Sequence, residues 1–301
     1  MRIAITASTG LIGRALSAQL DHDGVDVLRL VRRTATAGEL QWEPARPDGG
    51  LTATALDGID AVVHLSGAPV AAGRWTSARK RILRASRIDS TAALIRAMLA
   101  APRPPRVLLA ASAVGWYGDT GSAAVDETAP NGSGFLATLV RDWEQVTIPA
   151  QAAGVRVVNL RSGIVLSSRG GLLKPLLLPF RLGVGARIGA GTQYMSWITL
   201  TDHIAAMRFL LGRDDIAGPV NLTAPAPASN AELTRALATA LHRRAVLRVP
   251  SALVKLALGE MSGELLGSNR VVPVRLEAAG FTFQHPAIGP AVAAAIGART
   301  S

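Results

Sequence analysis

The first 160 residues alternate short apolar runs with stretches of helical periodicity, and this alternation restricts the possible folds more than any other feature of the sequence. The predicted strands cover 2–6, 25–31, 60–65, 107–111 and 155–160. Apolar residues with helical spacing predict helices at 11–20, along one long stripe at 82–99, and at 136–153. Runs of Val, Ile and Leu between helices are typical of a parallel sheet covered on both faces. We therefore predict an α/β fold built on a doubly wound parallel sheet.

The pattern loosens after residue 161, which predicts a second and smaller unit. A helix at 201–211 and a strand at 220–222 indicate a return to the sheet, and further helices are predicted at 230–242, 251–258 and 287–295. The expected organisation is a dinucleotide-binding domain at 1–160, joined by 199–225, and a small C-terminal substrate lobe at 161–198 and 226–301.

Composition excludes several classes of protein. With 49% hydrophobic residues the chain can build a packed core, and its lack of cysteine excludes disulfide scaffolds, cysteine-bound zinc, iron–sulfur clusters and thiol nucleophiles. No apolar run reaches about 18 residues, the length that a membrane-spanning helix needs. Met1-Arg2 leads directly into a strand without the layout of a signal peptide, so we expect a cytoplasmic protein without a membrane span.

A candidate phosphate-binding turn follows the first strand. It reads TASTGLIG at 6–13, between a predicted strand and a predicted helix, which is the context that a dinucleotide fingerprint requires. Thr9, Gly10, Leu11, Ile12 and Gly13 are the predicted cofactor-binding residues; the alternative is a plain strand-to-helix turn. Alanine stands at position 7, where the fingerprint has its first glycine, and a left-handed backbone there would cost about 1 kcal/mol.

The end of the second strand indicates which cofactor is bound. An NAD site places Asp or Glu there to hold the ribose hydroxyls, whereas this strand ends in Arg32 and Arg33. Two guanidinium groups without an acidic competitor suit a 2′-phosphate, so we predict NADP (NADPH). The alternative is that both arginines are solvated loop residues.

The net charge of +11 is typical of proteins that bind nucleic acid. Nine basic residues between 74 and 106 stand against one acidic residue, Asp89. However, only 4% of the residues are aromatic, too few for base-stacking platforms, and charge runs are usually solvated helix faces. We therefore expect a small-molecule substrate and no nucleic acid; the sequence leaves the oligomeric state open.

Motifs along nearly the whole chain resemble the extended short-chain dehydrogenase/reductase superfamily. More narrowly, the chain resembles the "epimerase family protein" branch of that superfamily, which is NAD-dependent epimerase/dehydratase-like. Members of this branch are sometimes labelled as nucleoside-diphosphate-sugar epimerases. The matching segments include TGLIG at 9–13, DAVVHLSG at 60–67, SAVGWYGD at 112–119, RSGIVL at 161–166, QYMSWI at 193–198 and VPVRLEAAGF at 272–281. The resemblance implies a Rossmann-like domain, a bound nicotinamide nucleotide and a small substrate lobe.

The resemblance also implies roles for individual residues. The glycine turn and Arg32 match the family's phosphate-binding positions, and Leu65, Ser66 and Gly67 match the segment beneath the adenine and ribose. Arg87 stands where many extended members have an asparagine, so it is predicted to contact a phosphate or ribose. For Arg87 the alternative is a solvated helix face shared with Lys80 and Arg84.

The sequence departs from the superfamily in its proton chemistry. A tyrosine and a lysine four residues later normally perform it, but the residues four positions after Tyr117 and Tyr194 are Gly121 and Ile198. Phe135 and Leu139 stand near the expected place of the pair, and neither side chain can exchange a proton.

The replacement candidates are Ser112 and Tyr117. Ser112 lies at the end of the fourth predicted strand, where a hydroxyl can bond a substrate carbonyl; the alternative is that Ala113 is the counterpart of the superfamily's serine. Tyr117 is a candidate acid. Without a cationic neighbour the pKa of Tyr117 should stay near its ordinary value of about 10, and the alternative for it is a structural ring. Gly170-Gly171 and 193–197 are predicted to line the substrate side.

The remaining polar residues carry structural predictions. Glu144 is expected to pack or cap, Asp202 to cap a helix, and His64 to be a satisfied sheet residue. The five histidines show no metal-ligand spacing.

Three hypotheses for the function remain. The first is an NADP-dependent reductase or epimerase that acts on a small carbonyl or sugar-like substrate with an atypical acid. The second is a catalytically silent NADPH sensor or partner-binding protein, and the third is a basic protein that binds nucleic acid or an anionic surface.

Overall fold

A computed structural model describes residues 1–297, so the predicted lobe residues 298–301 lie outside the described part. The strands are β1 Arg2–Thr6, β2 Asp26–Val31, β3 Glu39–Gln41, β4 Ala61–His64, β5 Val107–Ala113, β6 Arg156–Ser162, β7 Ile164–Ser167, β8 Gly170–Gly171, β9 Ala186–Ile188, β10 Tyr194–Met195, β11 Trp197–Thr199, β12 Gly218–Leu222, β13 Ala228–Ser229 and β14 Leu247–Val249. The helices are α1 Leu11–His22, α2 Ser77–Ala85, α3 Ile88–Ala100, α4 Phe135–Gln145, α5 Ile148–Ala152, α6 Leu173–Arg181, α7 Leu200–Leu211, α8 Asn230–Ala240, α9 Ser251–Leu258, α10 Ser262–Leu266, α11 Val274–Ala278 and α12 Ile288–Gly297.

Seven parallel strands form the central sheet in the order β12-β6-β5-β4-β1-β2-β3. The strand β1 lies between β2 and β4, so the chain order reverses there and the carboxyl ends of β1 and β4 border a crevice. In sheets of this type ligands bind at such a reversal point. The predicted α/β, doubly wound, Rossmann-like fold is confirmed.

Alternating side chains of each strand pack against helices on opposite faces of the sheet. Ile3 and Ile5 face a core that α1 and α7 cover, whereas Ala4 faces the core that α3 and α5 cover. Burial on both faces explains why these strands read as continuous apolar runs. A separate apolar cluster holds α6, α8 and α12 together in the C-terminal part. The division into two domains stays a prediction.

The prediction of one long helix along the stripe at 82–99 is wrong. The chain forms two helices there, α2 and α3, with a break at Ser86 and Arg87. The Ser86 hydroxyl donates to the Leu83 carbonyl at 3.1 Å and accepts the Ala68 N–H at 3.0 Å. Local hydrogen bonding of this kind competes with helix continuation. It also fastens the break to the loop that follows β4.

The helix predicted at 136–153 is likewise two helices, α4 and α5, with Pro149 in the first turn of α5. The short edge strand β3 was not predicted. Within residues 1–297, no helix combines the length and the apolar character needed to cross a membrane.

Candidate functional site

The turn after β1 is open to solvent at the carboxyl edge of the sheet. Thr9 and Gly10 are exposed, and Leu11 and Ile12 are half-buried. The helix α1 begins at Leu11, and no side chain caps it at Gly10. Its first-turn N–H groups therefore point outward with the positive end of the helix dipole, which is the arrangement that binds phosphate in dinucleotide sites.

Only glycine fits at position 13. A Cβ there would lie 2.3 Å from the Ala7 carbonyl oxygen and 2.9 Å from the Ser8 Cα. Both are backbone atoms that cannot move without shifting β1 or α1. The third fingerprint glycine thus allows the helix to begin against the end of the strand, as the motif requires.

Ala7 adopts a left-handed backbone, with φ of +52°. The cost anticipated for that conformation therefore applies at this position, since an L-residue is disfavoured there by about 1–2 kcal/mol.

We expect Ala7→Gly to raise the free energy of unfolding by about 1 kcal/mol, measured by denaturant titration. Ala18→Gly, on the exposed face of α1, is the matched control and should lower it by about 1 kcal/mol. Equal losses in the two variants would contradict strain at Ala7.

The two arginines after β2 differ in their surroundings. Arg33 donates to both Glu39 carboxylate oxygens, at 2.6 and 2.7 Å, and with Thr36 it lowers the pKa of Glu39 to about 2. The prediction that no acidic competitor is present is therefore wrong for Arg33, because the unpredicted strand β3 brings Glu39 beside it. Arg32 is exposed and forms no ion pair within residues 1–297. It is the available cation of the two.

The loop after β4 is tied to β1 by a buried hydrogen-bond pair. The Thr6 hydroxyl accepts the Leu65 N–H at 2.9 Å and bonds His64 Nδ1 at 2.9 Å. Burial lowers the pKa of His64 to about 3, so this imidazole is neutral at physiological pH. His64 is a sheet residue as expected, although its Nε2 is buried without a protein partner in the described residues. Ser66 and Gly67 follow directly, at the same edge of the sheet as the turn.

Arg87 is not on a solvated helix face, so that alternative is wrong. Its guanidinium donates to the Ala68 carbonyl at 3.1 Å and the Leu83 carbonyl at 3.3 Å, and it lies 5.2 Å from the Trp143 ring. A Cβ at Gly67 would lie 3.3 Å from its Cζ atom. The two residues that were grouped with it are paired instead, Lys80 with Glu260 and Arg84 with Asp142.

Three neighbouring strands place polar residues in one row at their carboxyl ends. Ser112 on β5 is the register partner of Arg161 on β6, which is the partner of Asn221 on β12. Because paired residues of parallel strands point to the same face, the three side chains line up across the sheet. The helix α4 and the turn after β5 supply Glu144 and Tyr117 to the same row.

A continuous hydrogen-bond network joins these side chains. The Ser112 hydroxyl donates to Glu144 at 2.6 Å, and Arg161 donates to both Glu144 oxygens at 2.8 and 2.9 Å. Arg161 also donates to the Tyr117 hydroxyl at 3.0 Å, which donates to Asn221 Oδ1 at 2.7 Å. The expectation that Glu144 packs or caps is therefore wrong, because its carboxylate is the centre of this buried network.

Tyr117 has the cationic neighbour that the sequence did not reveal. Arg161 lies 5.2 Å from its ring and 3.9 Å from the Trp116 ring. Even so, burial raises the pKa of Tyr117, and Arg161 only opposes that effect. The hydroxyl is occupied as donor and acceptor, so acting as an acid would require it to break the bond to Asn221. That role stays a prediction, and the geometry favours the alternative of a structural ring.

Phe135 and Leu139 lie on α4, where they belong to an apolar cluster with Trp75 and Leu83. The Lys80 ammonium lies 4.9 Å above the Phe135 ring. Neither position contributes a titratable group to the sheet edge.

Other predicted positions have mixed outcomes. Asp202 is not the cap of α7, because Thr199 is. The buried Asp202 carboxylate instead accepts hydrogen bonds from two N–H groups of the loop at 284–285.

Within 193–197, Gln193 and Tyr194 line a cleft of about 440 Å³ together with Asp119 and Ser268, whereas Trp197 is a core residue. Gly170 packs on Leu11 of the turn. Residues 1–297 contain no cluster of His, Asp or Glu suited to a metal.

Comparison with known proteins identifies relatives of this chain. Residues 3–223 match the model of the NAD dependent epimerase/dehydratase family, and residues 249–295 match a domain of unknown function. An epimerase family protein of Mycobacterium tuberculosis is 47% identical over 292 residues, which cover 96% of each chain. The crystal structure of human epimerase family protein SDR39U1 with NADPH superposes with a TM-score of 0.89 at 32% identity, covering 99% of this chain and 100% of that one. A nucleoside-diphosphate sugar epimerase of Corynebacterium glutamicum gives a TM-score of 0.81 at 36% identity, covering 99% of this chain and 58% of that one.

Proposed function

Because the chain belongs to the NAD dependent epimerase/dehydratase family, we propose that it is an NADP(H)-dependent oxidoreductase or epimerase-like enzyme. The proposed substrate is a small carbonyl or sugar-like molecule. The observation that carries the proposal is the solvent-open turn at 7–13, where a glycine without room for a Cβ starts an uncapped helix at the reversal point of the sheet.

The chain's residues fit an NADPH molecule along this edge. The N–H groups at the start of α1 would hold the pyrophosphate, and the exposed guanidinium of Arg32 would hold the 2′-phosphate. Leu65, Ser66 and Gly67 would lie beneath the adenine and ribose, with Arg87 beside them. The NADPH-bound human relative supports the choice of cofactor.

When bound, a nicotinamide nucleotide supplies hydride exchange with the substrate. Ser112 is the proposed contact to the substrate oxygen. Its own proton points to Glu144, so in this orientation Ser112 can accept a bond from a substrate hydroxyl, whereas the predicted bond to a substrate carbonyl would require that proton to turn away from Glu144. Arg161 holds that carboxylate by two hydrogen bonds, which fixes the Ser112 hydroxyl in one orientation.

The alternative is a protein that binds NADPH without turnover and acts as a sensor or through a partner. The observation that favours it is the apolar pair Phe135 and Leu139 at the place of the usual tyrosine and lysine, together with the occupied hydroxyl of Tyr117. NADPH consumption with any member of a carbonyl library would support the enzyme. Tight NADPH binding with no consumption across the library would support the sensor.

The cofactor preference rests on Arg32. We expect NADPH to bind more tightly than NADH in calorimetric titrations, and Arg32→Ala to weaken NADPH binding about 10- to 100-fold, as loss of a charge-assisted hydrogen bond to phosphate does. NADH affinity should change little. Arg33→Ala is the matched control, and it should have the smaller effect because Glu39 already neutralises that guanidinium. Equal effects of the two substitutions on NADPH would show that the 2′-phosphate is bound elsewhere.

A further inference from the structure

A second pair of arginines converges on the loop that follows β4. Arg79 on α2 donates through Nη2 to the Pro69 carbonyl, and Arg87 donates through Nη2 to the adjacent Ala68 carbonyl at 3.1 Å. Leu83 lies one helical turn after Arg79 on α2 and is fully buried, and Arg87 follows just beyond the end of that helix. The two guanidinium groups are therefore held side by side against one short stretch of backbone.

No ion pair within the described residues neutralises either guanidinium. In residues 1–297 no carboxylate forms an ion pair with Arg79 or Arg87, whereas Lys80 and Arg84 on α2 each have one. The acceptors of both arginines are carbonyl oxygens and the Ser86 hydroxyl, and Arg79 Nε is buried with no partner in the described residues. Burial and the nearby Arg79 lower the pKa of Arg87 to about 10.

This arrangement is costly unless an anion completes it. A buried or half-buried cation is normally paired, and two like charges close together add repulsion. Simple fastening of the loop to the helix would need only one donor for each carbonyl, which neutral side chains supply. Two arginines with unused N–H groups at one place point to a ligand with several acceptor oxygens.

We propose that Arg79 and Arg87 form a binding site for a phosphate or carboxylate group beside the loop at 67–70. The inference rests on the proposed function, because the loop borders the same edge of the sheet. The anion has two possible sources, the pyrophosphate of the cofactor or an acidic group of the substrate. In either case Arg79, which no motif singled out, is a ligand-binding residue.

The experiment compares Arg79→Gln with the control Arg81→Gln. Arg81 is an exposed residue of the same helix, α2, and it makes no ion pair in the described residues. Two calorimetric titrations are run on each variant and on the wild type: NADPH into the free protein, and inorganic phosphate into the NADPH-saturated protein. Arg79→Lys keeps the charge and reports whether a loss comes from charge or from misfolding. Circular dichroism checks the fold of each variant.

Either of two results supports the proposal. If the anion belongs to the cofactor, Arg79→Gln weakens NADPH binding about tenfold or more. If it belongs to the substrate, NADPH binding is unchanged, the saturated wild type binds phosphate, and Arg79→Gln loses that binding about tenfold or more. In both cases Arg81→Gln matches the wild type, and Arg79→Lys retains part of the affinity.

Matching affinities of Arg79→Gln and Arg81→Gln in both titrations would overturn the proposal. Failure of the proposed function is a separate outcome, because it appears as a wild type that binds no NADPH. In that case inorganic phosphate is titrated into the free proteins. Weaker phosphate binding by Arg79→Gln than by Arg81→Gln then supports the anion site, and equal binding overturns it.

Discussion

Gly13→Ala should lower NADPH affinity by more than tenfold and destabilise the fold by about 1–3 kcal/mol, the usual range for overpacking. The added methyl group would lie 2.3 Å from the Ala7 carbonyl oxygen, so the start of α1 must move away from β1. That movement displaces the first-turn N–H groups from the phosphate position. Calorimetric titration with NADPH and denaturant unfolding measure the two effects separately.

The matched control is Gly289→Ala in α12. A Cβ at position 289 meets no atom of residues 1–297 within 4 Å, and the backbone of Gly289 is not left-handed. The control should therefore keep NADPH affinity and gain up to about 1 kcal/mol from helix propensity. If Gly13→Ala kept wild-type NADPH affinity, the turn would not be the pyrophosphate site.

Glu144→Gln should destabilise the protein by about 3–5 kcal/mol, the cost of leaving a buried partner charge without compensation. The side chain of Arg161 is 3% exposed and that of Glu144 is 10% exposed, so solvent screens this ion pair weakly. The substitution also removes the strong acceptor of the Ser112 hydroxyl. Denaturant unfolding monitored by circular dichroism gives the free energy.

The double variant Glu144→Gln with Arg161→Met separates the pair interaction from loss of packing. It should lose less free energy than the sum of the single variants, because it leaves no unpaired charge. Arg103→Gln breaks an exposed ion pair with Asp57 and serves as the surface control, with a far smaller expected loss. Two results would contradict the central place of this network. One is a double variant whose loss of unfolding free energy equals the sum of the two single losses; the other is a loss for Glu144→Gln as small as that for Arg103→Gln.

The sheet was predictable because its signal is local. Each parallel strand is buried on both faces and stands out as a short apolar run between helical stretches. The edge strand β3 has only three residues, so periodicity could not reveal it. The break between α2 and α3 escaped detection because the apolar stripe continues across it, and the contact that causes it, from Ser86 to Ala68, is tertiary.

The candidate site was predictable where a motif fixes it and not where distant residues meet. The glycine turn and Arg32 follow from chain order alone. The pairing of Arg33 with Glu39 depends on β3 and was missed with it. Glu144 is 32 residues from Ser112 and 17 from Arg161 along the chain; strand register pairs Ser112 with Arg161, and the position of α4 brings Glu144 to both. A carboxylate on the helix between two strands that end in Ser and Arg was the available signal.

A crystal structure of the protein with NADPH tests the central claim most directly. We predict the pyrophosphate above the N–H groups at the start of α1 and the 2′-phosphate within hydrogen-bonding distance of Arg32. NADPH bound away from the turn at 7–13, or bound there with its 2′-phosphate remote from Arg32, would contradict the account.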